Sequence, residues 1–272
     1  MSICVEKFLM TGCILCCASI FTCAVAAQTF PTRPVRLALP YPPGGANDDV
    51  ARLLALKVTE QLGQQIVVDN RGSGNTIIDS ELVAKAAPDG YTLLIVAAGH
   101  AVNPALYPKL PYDAARDFAQ VVLTGDGAHV LVAHPSAGVK MLHVPYKGGR
   151  PAVLDLLGGR VAVFFPTVAV ARPNNQSSKI KALGVITGKR SAALPNQPTI
   201  AEAGLLEYDV SGWYGVVAPV KTPTATIQRI TSVVRLALRQ PDIEEKLLAV
   251  GVEASDVSVE QFDKFLRADL VK

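Results

Sequence analysis

The chain has 272 residues, half of them hydrophobic, and 26 basic against 23 acidic side chains leave a net charge of only +3. That length is enough for a well-buried core and sits where one domain tends to become two. No run of Lys or Arg forms the basic stripe that a phosphate backbone requires, so nucleic acid is excluded as an expected partner.

The N-terminus reads as an address. Lys7 precedes an apolar run from Phe8 to Phe21, and Ala24-Val25-Ala26 places small residues at alternate positions, as signal peptidase requires. Residues 1–26 are therefore predicted to be a signal peptide cleaved near Ala26, with the mature chain in the periplasm. The run is too short to span a bilayer comfortably, which takes roughly 20 apolar residues. All five cysteines, Cys4, Cys13, Cys16, Cys17 and Cys23, lie in this segment. A mature chain without them has no disulfides, thiolate metal sites or cysteine nucleophiles. Leu9-Met10-Thr11-Gly12-Cys13 faintly resembles a lipoprotein signal, but lipidation there would leave an apolar remnant on the mature chain.

Beyond the signal, strands and helices alternate, the pattern of a mostly parallel sheet covered by helices. Val35 to Leu39 is a strand, Tyr41 to Asn47 a turn-rich loop, and from Asp48 the residues Val50, Leu53, Leu54, Val58 and Leu62 recur at helical spacing up to Gly63. A strand at Ile66–Val68 leads through the loop Arg71-Gly72-Ser73-Gly74-Asn75 to a helix at Ile78–Ala86, and Tyr91–Val96 is a third strand ending at Ala98-Gly99-His100. A second set of elements follows: a strand at His143–Tyr146, a helix opened by Pro151 and closed by Gly158-Gly159, and strands at Val161–Phe165 and Ile180–Ile186. Val210–Ala218 reads as a returning strand, Ile227 to Leu238 as an amphipathic helix, and Ser258 with Gln261 as a capping box for the last helix. The predicted division is 27–128 with 219–272 as domain one and 129–218 as domain two.

In such a sheet, ligands gather at the carboxyl ends of strands, where loops feed helix N-termini with unpaired N–H groups and partial positive charge. Gly44, Gly45, Ala46, Asn47 and Asp48 hold that position after the first strand, and Ala98, Gly99 and His100 after the third. The plainer reading is that the glycines only make turns and that Asn47 or Asp48 caps a helix. Catalytic spacings are absent. Gly184 to Arg190 is one residue too short between its glycines for a P-loop, Gly125-Asp126-Gly127 lacks the third glycine of a dinucleotide fold, and no G-x-S-x-G elbow occurs. His100, His129, His134 and His143 form no zinc-type pair. No metal, no cofactor and no enzymatic activity are expected.

Phe30-Pro31-Thr32-Arg33-Pro34-Val35-Arg36 and Pro42-Pro43-Gly44-Gly45 with Asp48 resemble the opening of the Bug family, the periplasmic receptors of tripartite tricarboxylate transporters. The likeness continues through Val67-Val68-Asp69-Asn70-Arg71, the run Ala84 to Leu94, and Asn103-Pro104 with Leu106-Tyr107. It resumes at His143 to Gly149, Lys189-Arg190-Ser191, Leu194-Pro195 and Ala201-Glu202-Ala203-Gly204. The resemblance implies an α/β, two-lobed, periplasmic-binding-protein-like architecture. It further implies a monomer that closes on a small carboxylate, holds it through backbone N–H groups and waters, and hands it to the transporter's membrane permease.

Two departures accompany the likeness. Between His134-Pro135-Ser136 and His143 the family carries several dozen residues, including a helix, a strand and a ligand-contacting loop, whereas here only Ala137 to Leu142 remain. The second lobe is thus expected to be incomplete, with sheet edge and apolar face uncovered. Phe165-Pro166-Thr167 stands where relatives carry an aspartate after the phenylalanine, which makes Thr167 the remaining candidate contact from that lobe. The last helix is also expected to stop early. A family remnant without ligand binding and an exported enzyme acting on a carboxylate are the alternatives.

Overall fold

Four apolar residues in five make Val35–Leu39 (β1) a strand that can be buried on both faces. In the computed structural model, it lies between two parallel neighbours, Ile66–Asn70 (β2) and Thr92–Ala97 (β3). The structure describes residues 30–72, 76–133, 149–175, 179–210 and 212–271, with positions 142, 144 and 146. Contacts divide the chain into Met1–Thr32 and Arg33–Lys272. The predicted signal peptide lies outside the described residues.

Helix α1 (Ala46–Leu62) links β1 to β2 and stops at Gly63, whose φ of 68° is left-handed and whose N–H closes on the Thr59 carbonyl. Helix α2 (Ile77–Ala84) leads to β3, and α3 (Ala98–Leu106) follows β3 directly. Phe118–Gly127 (β4) and Gly212–Pro219 (β8) complete most of a sheet ordered β2-β1-β3-β8-β4-β9, with β9 at Val252–Ala254. β8 is antiparallel to both β3 and β4, so the sheet is mixed rather than mostly parallel as predicted. The reason is topological. Parallel pairs need a crossover helix, which α1 and α2 supply, whereas β8 re-enters from the far sheet and runs back between its neighbours.

The period of two along the strands sorts their side chains onto two layers. Leu94, Val96, Trp213 and Val217 face one core with Val83 of α2, Ala101 of α3 and Phe262 and Leu266 of the last helix, α8 (Val259–Asp269). Leu93 and Val216 face the other, against Leu54 and Val58 of α1 and Ile230 and Val234 of α6 (Thr224–Leu238). The Trp213 indole donates to Asp269 at 2.8 Å and meets Phe262 and Phe265 edge-on, tying α8 to β8. The predicted capping box is present: Ser258 Oγ accepts from Gln261 N–H at 3.2 Å, and Gln261 Oε1 accepts from Ser258 N–H at 2.7 Å.

A smaller sheet, ordered β6-β5-β7, is built from Val130–Ala133 (β5), Val163–Phe164 (β6) and Lys181–Val185 (β7), all antiparallel. Helices α4 (Gly149–Leu157) and α5 (Val168–Asn175) cover one face, burying Leu156 and Ala171 against Val130, Val132, Ala182 and Val185. Leu183, on the opposite face of β7, is 41% exposed, as are comparable fractions of Val144 and Phe165. The predicted partition put residues 129–218 together; the sheets divide otherwise, because Gly212–Pro219 pairs along its whole length in the larger one. Of the predicted strand His143–Tyr146, positions 143 and 145 lie outside the described residues, and Val144 and Tyr146 carry no regular structure. Helix α7 (Pro241–Ala249) precedes β9.

Candidate functional site

The loop before α1 is shaped by one buried carboxylate. Asp48 accepts from the Gly44 backbone N–H at 2.9 Å, from Arg52 Nε at 3.0 Å and from Asn70 Nδ2 at 2.8 Å, and Arg52 reaches on to Asn70 Oδ1 at 2.9 Å. Burial pushes the Asp48 carboxyl up, but Arg52, Gly44 and Asn70 together outweigh it and hold it below the usual carboxylate range. Gly44 sits at φ 81°, the left-handed conformation that lets its N–H turn back onto Asp48. Asp48 was predicted to face a ligand. It faces inward instead, because its lone pairs are already committed to three donors that set the loop's shape.

What the loop presents outward is backbone. Gly45 is the residue preceding α1, in extended conformation with no side-chain cap on the helix, and a Cβ added there would meet nothing within 4 Å. The first N–H groups of the helix, those of Ala46 and Asn47, have no carbonyl one turn back to bond and carry the positive end of the helix dipole. Asn47 is half-buried, and its Oδ1 has no hydrogen-bond partner. Helix α3 likewise starts without a side-chain cap, at Ala98. The Tyr41 hydroxyl lies against the start of α3: a Cβ on Gly99 would lie 3.7 Å from it. Burial, with Tyr214 and Tyr112 nearby, pushes the Tyr41 phenol up, so it stays a neutral O–H.

His100 was expected beside the ligand, and the structure overturns this. It is 2% exposed, stacked on Tyr112 and set edge-on to Phe118, and burial drives its pKa down to about 4 against a weaker opposing pull from the Ala114 backbone. Its direction is set by α3, whose buried face carries His100, Ala101 and Asn103. Thr167 immediately precedes α5 and makes an isolated bridge to His129; its Oγ1 is buried without a hydrogen-bond partner, and the residues that follow it, not Thr167 itself, reach the cleft.

The cleft is a cavity of about 400 Å3 with two dissimilar walls. Gly44, Ala46 and Asp49, at the start of α1, form one; Val153, Leu154 and Leu157 of α4 with Ala169, Val170 and Asn174 of α5 form the other. The sequence reading found Gly44 and Ala46 but missed Asp49 and the entire second wall. Leu154 and Leu157 carried a usable signal, an i, i+3 apolar pair beside Leu156, which packs on the sheet. Among the described residues, no group of three or more His, Cys, Asp or Glu is placed to hold a metal ion, and no helix is long and apolar enough to cross a membrane.

The chain is similar to known proteins over most of its length. The sequence profile of the "Tripartite tricarboxylate transporter family receptor" matches residues 50–137 and 133–272. A UPF0065 protein from the tcbD-tcbE intergenic region of Pseudomonas sp. strain P51 is 36% identical over 92% of this chain and 87% of its own length. That alignment runs over 292 positions, more than the 272 residues here, so it places residues of the relative against gaps in this chain. The periplasmic binding protein BugD superposes with a TM-score of 0.80 at 28% identity, covering 89% of this chain and 95% of that one. Rpa4515 from R. palustris, solved with adipate, gives 0.83 at 30% identity with the same coverages.

Proposed function

The chain belongs to the tripartite tricarboxylate transporter receptor family, and from that premise we propose that it is a periplasmic receptor that captures a small carboxylate in the cleft and delivers it to the membrane permease of a tripartite transporter. The observation that carries this reading is the uncapped start of α1, whose backbone N–H groups open onto a cavity closed on its far side by α4 and α5. A carboxylate there accepts from Ala46 and Asn47, with Gly45 leaving room for close approach and the α1 dipole adding about 0.3–1 kcal/mol. The adipate bound by Rpa4515 and the periplasmic setting of BugD support the solute class and the compartment. The receptor role of the family implies that the solute is bound and released unchanged.

The second lobe is part of the same reading. The profile matches in two pieces that overlap at residues 133–137, beside Ala137–Leu142, where the sequence resemblance implies a deletion. A lobe shortened at that point contributes fewer donors to closure, so solute is held chiefly by the α1 side and affinity is modest. A chain that has lost binding altogether is the second reading that the same gap favours.

Thermal unfolding with and without a panel of small acids tests both. A ligand at 100 times its Kd stabilises the folded state by about 2.7 kcal/mol, and a raised midpoint with one class of acid establishes the receptor. Gly45→Val, whose side chain enters open space, is expected to keep the wild-type midpoint and lose the shift. A sharp transition unmoved by every acid would favour the lost-binding reading, and a shift retained in Gly45→Val would remove the α1 loop from the site.

A further inference from the structure

The two lobes differ in charge, and the charge of the smaller one gathers at one end. Residues 129–211 carry nine Lys and Arg against four Asp and Glu, whereas residues 30–128 and 212–272 together carry sixteen against eighteen. We propose that the end of the small sheet remote from the crossing at His129 is a docking surface for an anionic phospholipid bilayer, which concentrates the chain at the membrane whether or not a solute is bound.

The fold brings cations from three segments to that end. β5 leaves the crossing at Val130 and stops at Ala133, which pairs with Lys181 on one side and Val163 on the other, so Lys181 and Val163 lie two strand spacings, about 10 Å, apart at the far edge of the sheet. Arg160 precedes β6 by three residues and Lys179 precedes β7 by two, and both strands enter from that edge. Helix α5 runs the same way as β5: Thr167, just before it, bridges His129, and Asn175, its last residue, accepts through Oδ1 from the Ala182 N–H at 3.1 Å. Arg172, one turn before Asn175 on the same side of the helix, therefore stands beside the start of β7.

These four cations share one described acid. Asp155 accepts from Arg160 at 2.9 Å and from the Tyr146 hydroxyl at 2.7 Å, while Arg172, Lys179 and Lys181 are exposed and make no ion pair among the described residues. The other described acids of the lobe, Glu202, Glu207 and Asp209, belong to the return segment at the opposite end of β7, where Thr199 bridges Val185 and Val210 N–H bonds the Ile186 carbonyl. There Glu202 pairs with Arg190 and Asp209 accepts from the Gly188 N–H at 2.9 Å. None of the four cations lines the cleft. A bilayer asks for charge density rather than for a matched shape, and three long unpaired side chains on separate segments supply it; each cation near an anionic surface raises partitioning about fivefold.

Sedimentation of the full chain with vesicles tests this, using phosphatidylcholine alone against phosphatidylcholine with roughly 30% phosphatidylglycerol, at about 0.05 M and 0.5 M salt. At low salt the anionic vesicles are expected to bind at least about tenfold more tightly, and the preference is expected to collapse at high salt. The triple variant Arg172→Gln, Lys179→Gln, Lys181→Gln is expected to lose about tenfold on the anionic vesicles and nothing on the neutral ones. Lys109→Gln, Lys221→Gln, Arg229→Gln, an equal change of charge at exposed positions of the large lobe, is expected to stay within about twofold, with the thermal midpoint of each variant confirming the fold. The apolar N-terminal run is common to all three chains and so drops out of these ratios. Equal losses in the two triple variants reduce the effect to net charge and overturn the inference, as does a wild-type chain without preference for phosphatidylglycerol. Binding to spheroplast membranes that protease treatment abolishes, without that lipid preference, overturns it in favour of an acidic protein. Solute-induced stabilisation is read separately, so the receptor reading stands or falls on its own test.

Discussion

The six-stranded sheet and the three-stranded sheet solve the same packing problem to different degrees. In the larger, helices lie on both faces and all eight residues of β8 are buried. In the smaller, α4 and α5 cover one face, and β7 alternates, with Lys181 and Leu183 exposed against Ala182, Gly184 and Val185 buried. A strand buried on both sides reads as a continuous apolar run, and one covered on a single side reads as alternation. Among the described residues, the small sheet thus has one face packed on helices and one face open, and its core is correspondingly thinner than that of the large sheet.

Core truncations give the largest expected effects and test that asymmetry directly. Phe262→Ala, deleting a fully buried ring against Gly215 and Trp213, is expected to cost about 3–5 kcal/mol in denaturant unfolding. Leu156→Ala in the small core is expected to cost about 2–5 kcal/mol, with amide exchange rising first in β5, β6 and β7. If Leu156→Ala loosens both sheets equally, the two cores are one cooperative unit and the comparison fails.

A smaller loss is expected from Asp48→Asn, which keeps the shape but not the charge that Gly44, Arg52 and Asn70 surround: about 1–3 kcal/mol near neutral pH. Because the folded chain lowers the Asp48 pKa, the stabilisation is complete above the unfolded value of about 3.9 and disappears as pH falls through the folded one. The deficit of the variant should therefore shrink in acid. Asp79 behaves oppositely. It is 0% exposed, neither carboxylate oxygen has a hydrogen-bond partner, and burial, with Asp69 adding to it, raises its pKa over the pull of Arg71 and Arg36. The folded chain thus holds that proton more tightly than the unfolded one, and ionisation destabilises it above the folded pKa. Asp79→Asn is expected to gain about 1 kcal/mol at neutral pH, and the gain should fade as pH is lowered toward the unfolded value. Leu183→Thr, on the bare face of β7, should stay within about 0.5 kcal/mol; a larger loss would show that something covers this face.

Much of the first lobe was legible because its signals are local. Val35–Leu39 and the stop at Gly63 follow from apolar period and a left-handed glycine, and Ser258 with Gln261 announces α8 by side-chain chemistry alone. β4 went unread: its partners, β8 and β9, lie about ninety and more than a hundred residues downstream, so nothing near it in sequence marks it as paired. The site was half-legible for the same reason. Glycines and a helix start point to the α1 wall, but which residues face it is decided by how α4 and α5 lie on the small sheet. His100 was misread because position after a strand suggests exposure, whereas the side chain's direction depends on the helix that begins there. In Asp48 the residue was found and its role was not, since only the fold brings Asn70 within 2.8 Å.

Between β4 and β5 the chain crosses from one sheet to the other in two residues, Ala128 and His129, and the return strand passes alongside at Gly212. A Cβ on Gly212 would fall 2.5 Å from the His129 ring, and one on Gly127 would fall 2.4 Å from Tyr214. A side chain at either position would force the neighbouring ring aside, so the crossing between the two sheets depends on these two glycines.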